Sequence, residues 1–125
     1  MAVPPIKTVD PLRNQCTDAR LDKIHRAFDL LRLKNREIPG QLVSCFLYIA
    51  SHDGCHKPAL EEALNLTTAS ASRNTDWLST GRWGVETQGL RLINKEKIKG
   101  DRRIALRLTA RGRDLARTMK SIIYD

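Results

Sequence analysis

A mainly helical fold with a small β-ribbon, an α+β arrangement, is predicted for this chain of 125 residues. Three observations predict it. Apolar residues recur at spacings of three and four through most of the chain, the period of helices with one buried side. Late in the chain the period changes to two, with Ile104, Leu106 and Leu108 alternating with Arg103, Ala105 and Arg107, as in a half-buried strand. Finally, charge is unevenly placed. Segment 68–113 holds eleven basic and four acidic residues, whereas the first 67 hold nine and eight, so nearly all of the net +8 lies in one stretch.

The elements follow in order. Residues 1–16 contain Pro4, Pro5 and Pro11 with no apolar period, and read as a flexible or extended arm. A single domain, 17–125, follows. Thr17 is a candidate cap for a first helix reaching about residue 35. Leu21, Ile24, Phe28 and Leu31 form its apolar stripe, with Ala27 and Leu30 beside it. Pro39 suits the first turn of a second helix, whose apolar residues (Leu42, Val43, Cys45, Phe46, Leu47, Ile49) mark it as central and buried. His52, Asp53 and Gly54 end it. Pro58 starts a short third helix with Leu60, Ala63 and Leu64 inward. Thr67 caps a fourth, 68–79, with Ala71, Thr75 and Leu78 inward. Segment 80–89, rich in glycine, reads as a loop. A strand is expected at 89–93, a charged hairpin tip at 95–102 and the second strand at 103–108. Thr109 caps a last helix lined by Leu115, Met119 and Ile122.

Composition excludes several function classes. Only 5% of residues are aromatic, too few for a platform that stacks single-stranded bases. No apolar run approaches the ~18–20 residues that span a bilayer, so no membrane partner is expected. The N-terminus lacks the apolar core of a secretory signal, and a cytoplasmic location is expected. Cys16, Cys45 and Cys55 are odd in number and irregularly spaced, as reduced thiols would be. His52, Cys55 and His56 lack the second ligand pair of a zinc site, so the segment reads as a polar turn. Glu61 and Glu62 diverge on a helix, and no phosphate loop or nucleophile elbow appears. Neither enzymatic activity nor a cofactor is expected.

The basic segment points to nucleic acid. A short polar helix beside a basic ribbon can enter a DNA groove and hold its phosphates. On the helix, Thr68 and Ser70 are candidate phosphate or base-edge donors near a positive helix end. Arg73 is a candidate for guanine or phosphate, with a surface ion pair to Asp76 or Glu62 as the alternative. Ser72 and Asn74 complete the exposed set. Around the ribbon, Lys95, Lys97, Lys99, Arg102 and Arg103 repel one another unless a phosphate backbone relieves them. Asp101 is placed to hold Arg103.

Three stretches together resemble the MarR-like family of bacterial regulators, which have a winged helix-turn-helix fold. Segment 41–50 (QLVSCFLYIA) with the turn at 52–55 resembles the family's buried helix. Segment 64–74 (LNLTTASASRN) resembles its LGLSxSxVSR pattern. Segment 100–112 (GDRRIALRLTARG) resembles its DxRxxxxxLTxxG pattern. The resemblance covers about 35–112, with the helix-turn-helix at 57–79 and the wing at 89–108. The wing is one residue short between Asp101 and Thr109, which leaves the minor-groove role open between Arg102 and Arg103. The loop after the fourth helix is longer than usual, as in a subgroup from phage and mobile elements. Trp77 and Trp83 near it either pack against the body or face DNA.

The resemblance implies a sequence-specific regulator of double-stranded DNA, most simply a homodimeric repressor. Dimerisation is assigned to the terminal helices, through Leu21, Ile24, Phe28, Leu31, Leu115, Met119 and Ile122. Many family members answer to a small-molecule effector or to thiol oxidation. No residue pattern here identifies an effector, Cys45 is expected to be buried, and Cys55 sits in a turn. The alternative reading is an adaptor that binds a partner protein through its basic face.

Overall fold

The computed structural model describes residues 15–81 and 89–124. Most of the expected N-terminal arm, and Trp83 with the centre of the 80–89 loop, lie outside the described residues. Among the described residues, five helices and a three-stranded antiparallel sheet make a mixed α+β fold.

Helix α1 (Ala19–Arg32) is capped by Asp18, not Thr17, and ends three residues before the expected boundary. The Asp18 carboxylate accepts from the backbone N–H groups of Arg20 and Leu21, both at 3.0 Å. Its negative charge also suits the positive helix end. Beyond the helix, the Asn35 side chain accepts from Glu37 N–H at 2.9 Å, and Ile38 precedes a proline, a position that disfavours helix. The apolar stripe divides. Ala27 and Leu31 are fully buried, while Leu21, Ile24 and Phe28 remain exposed, Leu21 at 63%.

Helix α2 (Gly40–Ser51) buries Leu42, Val43, Cys45, Phe46 and Ile49. It is not enclosed all round, because Gln41, Ser44, Leu47 and Ser51 form an exposed side. The turn after it is stitched to the sheet, since Asp53 Oδ1 accepts from Leu108 N–H at 2.8 Å.

Residues expected to be only a turn form strand β1 (Cys55–His56). Helix α3 (Lys57–Leu64) has Pro58 in its first turn and ends in Asn65, which is left-handed with φ 53°. Asparagine tolerates that conformation better than most residues. Ala63, expected inward, is exposed, whereas Leu60 is fully buried. Helix α4 (Thr68–Leu78) is capped by Thr67, whose hydroxyl accepts from Ser70 N–H at 3.1 Å. Ala71, Thr75 and Leu78 are fully buried, as the spacing predicts.

Segment 90–92 docks along the end of α4 instead of forming the expected strand. Leu90, Arg91 and Leu92 donate their N–H groups to the carbonyls of Trp77, Ser79 and Leu78 at 2.7–2.8 Å. Arg91 takes a left-handed φ of 58°, which breaks the alternation. Strand β2 (Ile93–Lys97) therefore starts later, and Lys95 and Lys97 lie in it and not at the hairpin tip. It pairs antiparallel with β3 (Ile104–Leu108), with Ile93 opposite Leu108 and Lys97 opposite Ile104. β3 is central in the order β1-β3-β2. Flanked on both edges, it buries Ala105 as well as Leu106, so the expected basic outer face keeps only Arg107 of its strand.

Helix α5 (Ala110–Tyr124) is capped by Thr109, whose hydroxyl accepts from Gly112 N–H at 3.0 Å. It packs on α1. Leu115 and Met119 belong to the core with Leu31, Phe46, Leu92 and Leu106.

Candidate nucleic-acid interface

Two neighbouring elements hold the candidate residues: the exposed edge of α4 and the β2–β3 hairpin. On α4, most of the candidate donors are already engaged. The Thr68 hydroxyl donates to Glu61 Oε1 at 3.0 Å. A hydroxyl has a single proton, so Thr68 has none left for a phosphate. Ser70 Oγ donates to Gln41 Oε1 at 3.2 Å. Asn74, expected to be exposed, is only 7% exposed. Its Nδ2 donates to Gln41 Oε1 at 2.7 Å and to the Ser70 carbonyl at 2.9 Å, which uses both amide protons. Ser72 stays half-buried at the surface and Arg73 is exposed. Arg73 forms no ion pair with Asp76 or Glu62; among the described residues its hydrogen bond is to Ser70 Oγ, at 3.5 Å.

The base of this edge is fixed by a buried cation that sequence reasoning missed. Lys57 Nζ donates to Glu61 Oε2 at 3.1 Å and to the Thr68 carbonyl at 3.4 Å, at 8% residue exposure. It neutralises the carboxylate beside Thr68 and ties α3 to the start of α4.

The hairpin is joined to α4 by an ion pair between Lys95 and Asp76. Residues 73 and 76 share a helix face, so this pair sets β2 alongside the Arg73 side of α4. It also withdraws Lys95 from the free cations. Lys95 and Lys97 are two apart and project from one face of the sheet. Lys97 lies nearer the tip and is exposed. Segment 98–103 makes the tip, with Gly100 at φ 85° supplying a turn that L side chains rarely adopt. Lys97, Lys99 and Arg102 are exposed and form no ion pair among the described residues.

Arg103 differs. Its guanidinium clasps Asp101, with Nε 3.1 Å from Oδ1 and Nη2 3.0 Å from Oδ2, and its N–H donates to Oδ1 at 2.9 Å. These bonds lower the Asp101 carboxyl from its ordinary 3.8 to about 2, first through the guanidinium and then through the backbone N–H. Asp101 raises Arg103 in turn. The clasp expected from sequence is present. Arg107 is likewise occupied, its Nε donating to Glu96 Oε2 at 2.8 Å across the strands.

The other assigned residues fall elsewhere. Leu31, Leu115 and Met119 are buried in the chain's own core and leave little surface for a second chain. Ile122 is half-buried, and Leu21, Ile24 and Phe28 are exposed on α1. Trp77 packs half-buried against the core. Burial pushes the Cys45 thiol up to about 11 and raises Cys55 also, which disfavours their reactive thiolates. Among the described residues no group of three or more histidines, cysteines or carboxylates could hold a metal. A groove of about 460 Å3 between α2 and α5 has no histidine, cysteine or carboxylate in its lining. Among the described residues no helix is long and apolar enough to cross a membrane.

Sequence reasoning missed Gln41, because the apolar run after it suggested a buried helix. Its position on the exposed side of α2 follows only from how α2 and α4 meet. Comparison of the chain with protein-family models, curated proteins and solved structures gave no match.

Proposed function

We propose that the chain is a sequence-specific double-stranded DNA-binding regulator with a winged helix-turn-helix fold of the MarR-like kind. Helices α3 and α4 are the helix-turn-helix, and the β2–β3 hairpin is the wing. α4 enters the major groove with Arg73 and Ser72 toward the base edges, and the wing follows the phosphate backbone toward the minor groove. The observation that carries this reading is an exposed Arg73 beside a projecting hairpin whose Lys97, Lys99 and Arg102 are exposed too, all four without an ion pair among the described residues. Like charges so placed are relieved by polyphosphate. Of the two wing arginines, Arg102 suits a phosphate and the oriented Arg103 suits the narrow groove.

A homodimer is part of this proposal, formed through the exposed α1 residues Leu21, Ile24 and Phe28 with Ile122 beside them. A two-fold dimer reads a near-palindrome with half-site centres ~34–36 Å apart, or a multiple of that. Repression then needs only occupancy of the site. Phe28→Glu is expected to give monomers in sedimentation.

Selection of bound duplexes from a random pool, followed by footprinting and a salt titration, tests the proposal. Enrichment of a two-fold sequence with a steep salt dependence is expected. Retention of random duplexes alone, with no enrichment, sinks it and favours an adaptor that binds protein.

A further inference from the structure

The side-chain amide of Gln41 has a fixed polarity, and the reason lies in Asn74. Asn74 Nδ2 donates to the Ser70 carbonyl, so the atom facing Gln41 is a donor. The Gln41 atom that meets it at 2.7 Å must therefore accept, which identifies it as Oε1. Ser70 Oγ donates to the same oxygen at 3.2 Å. Both lone pairs of Oε1 are used. What remains of the amide is Nε2, with two donors and no acceptor, on an exposed residue in the first turn of α2.

The same contacts run on to Arg73. Ser70 Oγ gives its proton to Gln41 and presents its lone pair to Arg73 Nη2 at 3.5 Å. Gln41 thus sits at the head of a chain of donors and acceptors whose end is the guanidinium on α4. Such chains polarise in one direction.

We propose that Gln41 is a phosphate-contacting and positioning residue: its Nε2 donates to a DNA backbone phosphate while its Oε1, through Ser70, aims Arg73 at the bases. The proposal rests on the duplex-reading function above. A donor-only amide matches a phosphate oxygen, which only accepts, and contacts of that kind set the register of the reading helix.

The test is phosphate-ethylation interference on the selected duplex, with wild type, Gln41→Ala, Gln41→Glu and Arg73→Ala. Gln41→Glu keeps the shape and the acceptor facing Asn74, but turns an anion toward the phosphate. One ethylated phosphate is expected to block wild type and to cease to matter for Gln41→Ala. Gln41→Ala should lose affinity about 10-fold, Gln41→Glu more. Gln41→Ala should also broaden the preference at the base pair that Arg73→Ala broadens. If the interference pattern and the preference are unchanged in both Gln41 variants while Arg73→Ala loses preference, Gln41 has no such role and the duplex reading stands. If wild type selects no duplex, that reading fails and this inference with it.

Discussion

The α4 edge carries a single cation, Arg73, and the β2–β3 hairpin several, and the two regions are held in different ways. On α4, Thr68, Ser70 and Asn74 spend their donors inside the protein, and that expenditure fixes the frame around Arg73. On the hairpin, Lys95, Arg103 and Arg107 are held in ion pairs, while Lys97, Lys99 and Arg102 are exposed and form no ion pair among the described residues. A guanidinium on a fixed backbone frame suits a contact that must distinguish one base from another, because a few tenths of an ångström decide whether both hydrogen bonds form. Flexible ammonium groups suit phosphates, which attract at any register. Under the proposed function, the difference separates reading from gripping within one surface.

The largest effect is expected where both regions are broken together. A Cβ at Gly112 would lie 2.0 Å from the Leu92 carbonyl oxygen, at the junction of β2 and α5. Gly112→Ala should cost about 3 kcal/mol of stability in urea unfolding, and duplex binding should fall with it. Next comes the reading side alone. Arg73→Ala should lose about 1–3 kcal/mol on the selected duplex and little on random duplexes. Equal losses on both would erase the distinction drawn here. For the gripping side, Lys97→Ala with Arg102→Ala should weaken every sequence alike. The salt slope should fall by about 0.9 for each phosphate contact removed.

The smallest effect concerns the clasp. The Asp101 carboxyl is depressed to about 2 from 3.8, so its hold on Arg103 is complete above the higher value and is lost as pH falls through the lower. The tip should therefore keep its orientation across about pH 5–8. A carboxyl NMR titration in which Asp101 titrates at its ordinary value would dissolve the clasp.

Much of this was legible in sequence. The inward set of α4, the caps at Thr67 and Thr109 and the clasp of Arg103 by Asp101 follow from local spacing and side-chain chemistry. The failures were non-local. Strand β1 is two residues long and exists only because β3 offers an edge at Leu106 and Ala105. β2 was displaced because Leu90 and Leu92 alternate like a strand but are taken up by the end of α4. The polar residues 94–97 become strand through pairing with β3, which composition does not announce. On α1, the spacing showed an apolar stripe but not that only its Ala27 and Leu31 part is fully buried. In the site, sequence identified Thr68 and Arg73 as outward-facing, but not that Asn74 is buried or that Ser70 and Asn74 were already bonded. That information resides in Gln41, about thirty positions away.

The pairing of Lys97 with Ile104 leaves 98–103 as the whole length beyond the ladder. Three residues out and three back reach at most about 10 Å. The tip therefore behaves as a short, stiff finger, unable to sweep along a groove in search of contacts. In the proposed complex its landing point follows the seating of α4, to which the hairpin is tied through Lys95 and Asp76.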